Sequence, residues 1–238
     1  MVRHSLNVNK LSMEKEEVIL LENLFESYQK KINSFDGVFN EINKKYWSKT
    51  PAITISPFSI ERNGFKKGNI IKKEPTNKDG IFEYGFDNEK LILTSFYNKW
   101  GASSLKFYIY YKDRIESFQF VNGYDDEPKT LVRVEIYYMN SNFSISKMIS
   151  YYKAYFDDDN LNSFSSEIDF QKEIYFYEKE MICKIEVRGQ IERYKMKNEK
   201  NIIFRNTDYM IVYNSNNELD KIFGVQLDKN IESIVYKS

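Results

Sequence analysis

The feature that most constrains the fold is an alternation of polar and apolar residues with a period of two, which recurs from about residue 81 onward. Five stretches share one pattern, in which an aromatic strand end is followed by a short polar turn and an apolar restart. They are IFEYGFDNEKLI (81–92), FYIYYKDRIESF (107–118), VEIYYMNSNFSI (134–145), EIYFYEKEMICKI (173–185) and DYMIVYNSNNELDKI (208–222). Each is typical of a β-hairpin, so the sequence predicts a long antiparallel meander.

The alternation also assigns side chains to the two faces of each strand. In TLVRVEIYYM, one face is predicted to carry Val132, Val134, Ile136 and Tyr138, and the other Arg133, Glu135 and Tyr137. In KFYIYYK, Phe107, Ile109 and Tyr111 are predicted to oppose Tyr108 and Tyr110. Antiparallel sheets commonly have one wetter face, so we expect Tyr108 and Tyr110 to be half-exposed.

The first part of the chain has a different period. Apolar residues between Met13 and Ile32 recur every three or four positions, which predicts an amphipathic helix. Phe35-Asp36-Gly37 interrupts the pattern, and a second, shorter helix is predicted from Val38 to near Trp47. Residues 53–60 are predicted to be a strand and residues 61–80 a loop or ragged hairpin, because the latter hold glycines, a proline and several lysines.

These patterns together predict an α+β fold in a single domain, residues 1–238. A helical N-terminal segment, within residues 1–48 and most regular over 12–47, should pack on a curled antiparallel sheet of ten or more strands spanning 51–236. We expect Leu21, Leu24 and Phe25 to dock on Val134 and Ile136.

Composition excludes several classes of protein. The chain of 238 residues has 35 basic and 35 acidic residues, so the whole-chain electrostatic argument for nucleic-acid binding is absent. No apolar run is long enough for a membrane span, and the N-terminus lacks the apolar region of a signal peptide. One cysteine excludes an internal disulfide. These features predict a cytoplasmic protein that binds neither membranes nor nucleic acid.

Catalytic and metal-binding motifs are scarce. His4 is the one histidine, so serine and cysteine nucleophiles lack a histidine base in a folded site, and zinc sites of histidine and cysteine are excluded. No glycine-rich phosphate-binding motif occurs. Cys183 lies on an apolar strand pattern and is expected to be a buried hydrophobe. We therefore predict a protein without cofactor or bound metal that is not an enzyme.

Two acidic segments are the candidate functional residues. NGYDDE contains Tyr124 and the carboxylates Asp125, Asp126 and Glu127, and YFDDDN contains Tyr155 and the carboxylates Asp157, Asp158 and Asp159. Three interpretations are open: a weak site for Mg²⁺ or Ca²⁺, an acidic surface for a basic partner, or solvated turns. Residues 81–170 hold more acidic than basic side chains, whereas residues 51–80 hold more basic ones, which favours the second interpretation slightly.

A β-rich chain with many tyrosines, acidic segments and no catalytic constellation resembles the immunity proteins of bacterial polymorphic toxin systems. The resemblance implies a non-catalytic inhibitor that neutralises a toxin by protein–protein contact. It also implies that the carboxylates of the two acidic segments meet a basic toxin surface, with Tyr124 and Tyr155 as packed anchors. Two alternatives stay open: a hydrolase that uses carboxylates on a metal or a glycan, and a structural module of phage or bacterial origin. The oligomeric state does not follow from the sequence.

Overall fold

The computed structural model describes residues 14–29, 31–122, 129–155, 164–195, 200–229 and 231–238. Its helices come early in the chain: α1 is Lys15–Tyr28, α2 is Val38–Glu41 and α3 is Ser59–Arg62, with a 3₁₀ turn at Ile32–Phe35. At the start of α1 the Glu17 carboxylate reaches back to accept from the Glu14 backbone N–H at 3.3 Å. This contact satisfies one backbone donor where the helix begins.

Twelve strands in the described part of the chain form one antiparallel sheet, and their order in the sheet is their order in the sequence. They are β1 Lys44–Ser48, β2 Phe82–Asp87, β3 Lys90–Asn98, β4 Gly101–Tyr110, β5 Arg114–Val121, β6 Thr130–Met139, β7 Ile145–Tyr155, β8 Phe164–Glu178, β9 Met181–Lys195, β10 Lys200–Tyr213, β11 Leu219–Gln226 and β12 Ile231–Lys237. All five predicted hairpins are present, so the predicted α+β meander is confirmed. The strands β1 and β12 form the two edges of an open sheet.

The second helix begins at Val38 as predicted, but its predicted end near Trp47 is wrong. The helix α2 ends at Glu41, and Trp47 belongs to β1. Trp47 pairs with Glu83 of β2 on one side and forms an isolated bridge with Ile71 on the other. Its indole Nε1 also donates to the Glu83 carboxylate at 3.1 Å. A short apolar run fits both helical and strand spacing, and here the strand partners decide the outcome.

The predicted strand over residues 53–60 is also wrong. This stretch consists of irregular backbone and turns and leads into α3. Pro51 and Pro57 flank and interrupt it, and proline has no backbone N–H to give to a strand ladder. The apolar residues of the stretch are instead used for packing against the sheet.

The N-terminal helix covers one face of the sheet, which we call the outer face. Leu21 and Phe25 of α1 are buried in a core that includes Val134 and Ile136 of β6. The ring of Phe25 meets that of Tyr151 of β7 edge-on, with centroids 5.0 Å apart. The predicted docking of the helix on β6 is therefore confirmed.

The opposite face, the inner face, carries a second core that is rich in tyrosine. Tyr84, Tyr108, Tyr137 and Tyr175 are all buried there. Residues 49–65, which we call the plug segment, pack on this core. Their apolar side chains in contact with it are Ala52, Ile53, Ile55 and Phe58.

The plug segment shows that the sheet curls. The Ala52 backbone N–H donates to the Tyr84 hydroxyl of β2 at 2.8 Å, and the Ser56 hydroxyl lies 3.3 Å from the Tyr175 hydroxyl of β8. Four residue steps span at most about 14 Å, whereas six strand spacings in a flat sheet cover about 29 Å. Tyrosine side chains stand roughly perpendicular to a sheet, so they do not bridge this difference. The sheet therefore bends around the plug segment.

The inner face is not the wetter face that the alternation predicts. Tyr108 and Tyr137 are 6% and 1% exposed. Tyr110 is half-buried, and burial raises its pKa to about 12 while its hydroxyl donates to the Leu91 carbonyl at 3.0 Å. The physical reason is that a segment distant in the sequence covers this face, and periodicity cannot reveal such a cover.

A β-bulge changes the predicted face of Val132. Gln119 of β5 pairs with Arg133, but the next residue, Phe120, pairs with Leu131. Val132 is therefore the extra residue of the bulge. Leu131 takes its place in the outer core, where it is 1% exposed.

Candidate binding surfaces

Most of the binding residues predicted from the sequence lie outside the residues that the structure describes. Tyr124, Asp125, Asp126 and Glu127 lie outside the described residues, as do Asp157, Asp158 and Asp159. Tyr155 is the last residue of β7, but its side chain is likewise not described. Their predicted role in binding a partner therefore stays a prediction.

The strand ends on either side of these acidic segments lie at one end of the sheet. The first segment connects β5, which ends at Val121, to β6, and the second connects β7, which ends at Tyr155, to β8. Because β6 and β7 are antiparallel neighbours, the start of one lies beside the end of the other. We call this the binding end of the sheet.

Polar side chains form a row across the inner face near the binding end. Lys106, Gln119, Arg133, Tyr152 and Asp169 are cross-strand neighbours in β4 to β8. Arg205 of β10 joins this row, since its Nη1 lies 3.1 Å from Asp169 Oδ2. We call these six residues the open inner surface.

The two arginines of this region face solvent, whereas the carboxylates beneath them are buried. The side chains of Arg133 and Arg205 are 38% and 41% exposed, but those of Glu135 and Asp169 are only 6% and 8% exposed. The Arg133 guanidinium also lies over the Tyr152 ring, 5.1 Å from its centroid. A partner that approaches this surface therefore meets guanidinium groups first.

Glu135 anchors the hydrogen-bond network below the open inner surface. Its Oε2 lies 2.5 Å from Lys106 Nζ, and it accepts from the Ser117 hydroxyl at 2.8 Å and from the Tyr137 hydroxyl. Burial alone would raise the pKa of Glu135, but the charges of Lys106 and Arg133 outweigh it and lower the pKa to about 2. The carboxylate is thus ionised and held in place.

Asp169 has the opposite electrostatic balance. Burial raises its pKa, and the positive charges of Arg205 and Arg133 offset this only in part. Asp169 Oδ1 is buried and accepts no hydrogen bond from the described residues. The two buried carboxylates of this region therefore differ: the ionised form is stabilised at Glu135 and disfavoured at Asp169.

A buried ion pair fixes the plug segment over the other half of the inner face. Arg62 Nη2 lies 2.8 Å from Glu173 Oε2, and the two side chains are 8% and 3% exposed. Burial would lower the pKa of Arg62, but the Glu173 charge outweighs it and raises the pKa. The Tyr175 hydroxyl donates to the same carboxylate. This contact covers the inner face away from the binding end.

An open cavity of about 360 Å³ lies between the plug segment and the turn that joins β8 to β9. Phe58, Tyr177 and Tyr213 contribute to its apolar walls, and its lining holds a single carboxylate, Glu180. It therefore does not provide the pair of carboxylates that acid–base hydrolysis uses.

Cys183 is not the buried hydrophobe that the sequence predicts. Tyr177 pairs with Ile182 but Phe176 pairs with Lys184, so Cys183 is the extra residue of a bulge in β9. It is partly exposed, and its thiol lies 3.4 Å from the Phe176 carbonyl.

In the described residues, no group of three or more histidine, cysteine, aspartate or glutamate side chains is arranged to hold a metal ion. No helix in the described ranges is both long enough and apolar enough to cross a membrane. The chain matches no protein-family model, and no curated protein matches it.

The arginines are the residues that sequence reasoning missed. Arg133 and Arg205 are separated by 72 positions, and each lies in a strand whose alternation is ordinary. The signal that identifies them is the strand register, because Arg133, Tyr152 and Asp169 lie directly opposite one another. No periodicity within a single strand contains that information.

Proposed function

We propose that this chain is a non-catalytic binding protein that acts by protein–protein contact at its binding end. The observation that carries the proposal is the open inner surface, where exposed Arg133 and Arg205 stand over buried carboxylates. The strand ends that lead into both acidic segments lie at the same end of the sheet. Charges of both signs in one region favour recognition of a specific partner.

The arrangement suits a partner whose surface also carries both signs of charge. The carboxylates of Asp125, Asp126, Asp157 and Asp158 are expected to contact its basic groups. The guanidinium groups of Arg133 and Arg205 are expected to contact its acidic groups, since arginine binds carboxylates through two parallel hydrogen bonds. Arginine and tyrosine are also the residues that contribute most at protein interfaces, and Arg133 lies on Tyr152.

The specific form of the proposal is an immunity protein, that is, an inhibitor that neutralises a toxin by covering it. Support comes from the general resemblance noted above and from the strand ends that flank the acidic segments, which lie at one end of the sheet. An inhibitor of this kind needs a rigid surface rather than a reactive group. The two cores and the Arg62–Glu173 pair supply that rigidity.

The test is copurification from the native host with the tagged full chain, followed by affinity measurement with the captured partner. We expect Arg205→Gln and the double variant Asp125→Asn/Asp126→Asn to weaken binding at least 5- to 10-fold, in line with the loss of interfacial charge pairs. Arg114→Gln is the matched control, because Arg114 is 35% exposed and lies at the opposite end of the sheet.

A second measurement addresses the inhibitor itself. The captured partner is expressed alone and together with this chain, and growth of the host is compared. We expect expression of the partner alone to stop growth and co-expression to restore it. If all variants bind the partner equally well, the binding end is not the site of contact. If expression of the partner alone does not stop growth, the partner is not a toxin.

A further inference from the structure

Within the residues that the structure describes, the outer face is covered over only part of the sheet. The helix α1 packs on β6 and β7. On β8 to β12, large apolar side chains of the same face remain exposed. They are Phe176 at 40%, Ile202 at 42%, Phe204 at 68%, Met210 at 42%, Val212 at 36% and Ile234 at 57%. Ile202 and Phe204 are separated from Met210 by the paired charges of Glu186, Arg188 and Asp208 on the same face. Exposed apolar groups of this kind mark interaction surfaces in folded proteins.

Three of these exposed side chains, Phe176, Met210 and Ile234, lie in one row across the strands, together with Lys184 and the half-buried Phe223. Phe176 is opposite Lys184, Lys184 is opposite Met210, Met210 is opposite Phe223, and Phe223 is opposite Ile234. The row therefore reaches from β8 to the edge strand β12. Residues on one face of neighbouring strands form a continuous surface, so this row is a mainly apolar strip that is interrupted on β9 by Lys184.

The charges of Lys184 in the strip and of Arg188 beside it are paired within the chain. Lys184 Nζ lies 2.7 Å from both Glu186 Oε1 and Asp208 Oδ2, and Arg188 Nη2 lies 2.7 Å from Asp208 Oδ1. The face thus offers no excess of either sign to attract a strongly charged partner. The whole chain has a net charge of zero, so two copies do not repel each other.

The size of the surface fits a stable dimer. The strands β8, β9 and β10 have 14 or 15 residues each, and β11 and β12 have 8 and 7. With ordinary strand dimensions their outer face covers on the order of 900 Å². A standard stable interface needs about 800 Å² from each partner.

We propose that the outer face of β8–β12 is the interface of a symmetric homodimer, in which two copies pack sheet against sheet. A two-fold dimer uses the same patch on both subunits, so the patch must be complementary to itself. A mainly apolar strip whose charges are paired within the chain meets that condition. This interface lies on the face opposite the open inner surface and does not depend on the function proposed above.

The test is the mass of the full chain in solution, measured by sedimentation equilibrium over a 100-fold range of concentration. We expect the wild type to be a dimer and Met210→Glu and Ile234→Glu to be monomers whose thermal unfolding in dilute protein matches that of the wild type. Phe143→Glu is the matched control, because Phe143 is 76% exposed but lies in the turn between β6 and β7. It should remain a dimer.

Three outcomes would overturn the proposal. The first is a wild type that is monomeric at every concentration. The second is a dimer that Met210→Glu and Ile234→Glu leave intact. The third is a monomeric wild type that becomes a dimer when residues 1–13 are deleted, which would mean that this segment occupies the face instead.

Discussion

The two halves of the outer face are built from the same kind of strand but differ in what covers them. Over β6 and β7, α1 buries Leu21 and Phe25 against the sheet. Over β8 to β12, Met210 and Phe204 remain 42% and 68% exposed. Strand sequence alone therefore does not decide whether an apolar position belongs to the core. The presence of a second layer decides it, and in this chain the N-terminal helix is long enough to cover only one half.

The largest expected contrast concerns two of the buried carboxylates of the inner face, Glu135 on β6 and Asp169 on β8, one below each half. Glu135→Gln should lower the free energy of unfolding by about 3–5 kcal/mol, because Lys106 loses its buried countercharge. Asp169→Asn should change it by less than about 0.5 kcal/mol or raise it, since burial disfavours that charge and Arg205 is solvated. Urea unfolding at pH 7 measures both, and equal costs would contradict the electrostatic difference.

The pH dependence of these two carboxylates should have opposite signs. The folded-state pKa of Glu135 lies below its unfolded value, so its contribution is complete above about pH 4.5 and is lost as the pH falls toward 2. The pKa of Asp169 is raised, so its ionisation lowers stability as the pH rises through that pKa. The deficit of Glu135→Gln should therefore shrink between pH 4.5 and 2.5, and a constant deficit would exclude this cause.

Truncating a buried side chain of the covering helix α1 should lower the free energy of unfolding far more than truncating an exposed side chain of the sheet. Leu21→Ala in α1 should lower the free energy of unfolding by about 2–5 kcal/mol, because it leaves a cavity in the outer core. Met210→Ala should cost within about 0.5 kcal/mol in dilute protein. If the dimer forms, the cost of Met210→Ala should grow with protein concentration, whereas that of Leu21→Ala should not. Chemical denaturation at two concentrations checks both.

Two glycines at closely packed positions of the sheet should give smaller effects, which depend on what a new methyl group would meet. A Cβ at Gly189 of β9 would lie 2.5 Å from the Phe170 carbonyl oxygen of the neighbouring strand, whereas a Cβ at Gly85 of β2 would lie 2.7 Å from Ile42 Cδ1. A backbone atom cannot move aside as a side-chain terminus can. We expect Gly189→Ala to cost about 1–3 kcal/mol and Gly85→Ala less. Thermal unfolding of the two variants measures this, with Gly37→Ala as the control because nothing lies within 4 Å of a Cβ there. A larger loss of stability for Gly85→Ala than for Gly189→Ala would contradict the prediction.

The smallest predicted effect concerns how α1 is held. Glu17 lies 3.1 Å from Lys147 and 3.0 Å from Lys172, and these two lysines outweigh the effect of burial and lower its pKa. Its contribution is present above about pH 4.5 and is lost as the pH falls through the lowered pKa. Glu17→Gln should cost about 0.2–1 kcal/mol at pH 7 and nothing at low pH. Near-ultraviolet circular dichroism of the tyrosines follows this change.

Much of the fold follows from local chemistry that the sequence displays. Short polar turns follow Asp87 at the end of β2 and separate Tyr110 of β4 from Arg114 of β5. Such turns favour a chain reversal through local interactions, so the hairpins could be predicted from the sequence. The β1 strand could not, because Tyr46 and Trp47 adopt a strand only where β2 and Ile71 are there to pair with them. The plug segment was missed for the same reason, since its partners Tyr84 and Tyr175 are distant in the chain.

For the binding surfaces too, the sequence shows one part and only the structure shows the other. The acidic segments are visible as runs of Asp and Glu, but the sequence does not show that they attach to the same end of the sheet. That placement follows from β6 and β7 being antiparallel neighbours. The guanidinium groups of Arg133 and Arg205 become one surface only because the strand register and the curl bring four strands together there.

By itself the sequence determined the meander, because alternation and turn residues act over a few positions and need no distant partner. The tertiary structure alone decided which apolar faces are cores, which carboxylates are ionised and buried, and where the arginines meet. Those outcomes depend on residues far apart in the chain, such as Arg62 with Glu173 and Lys106 with Glu135. Burial and charge pairing are properties of the assembled sheet, its helix and its plug segment.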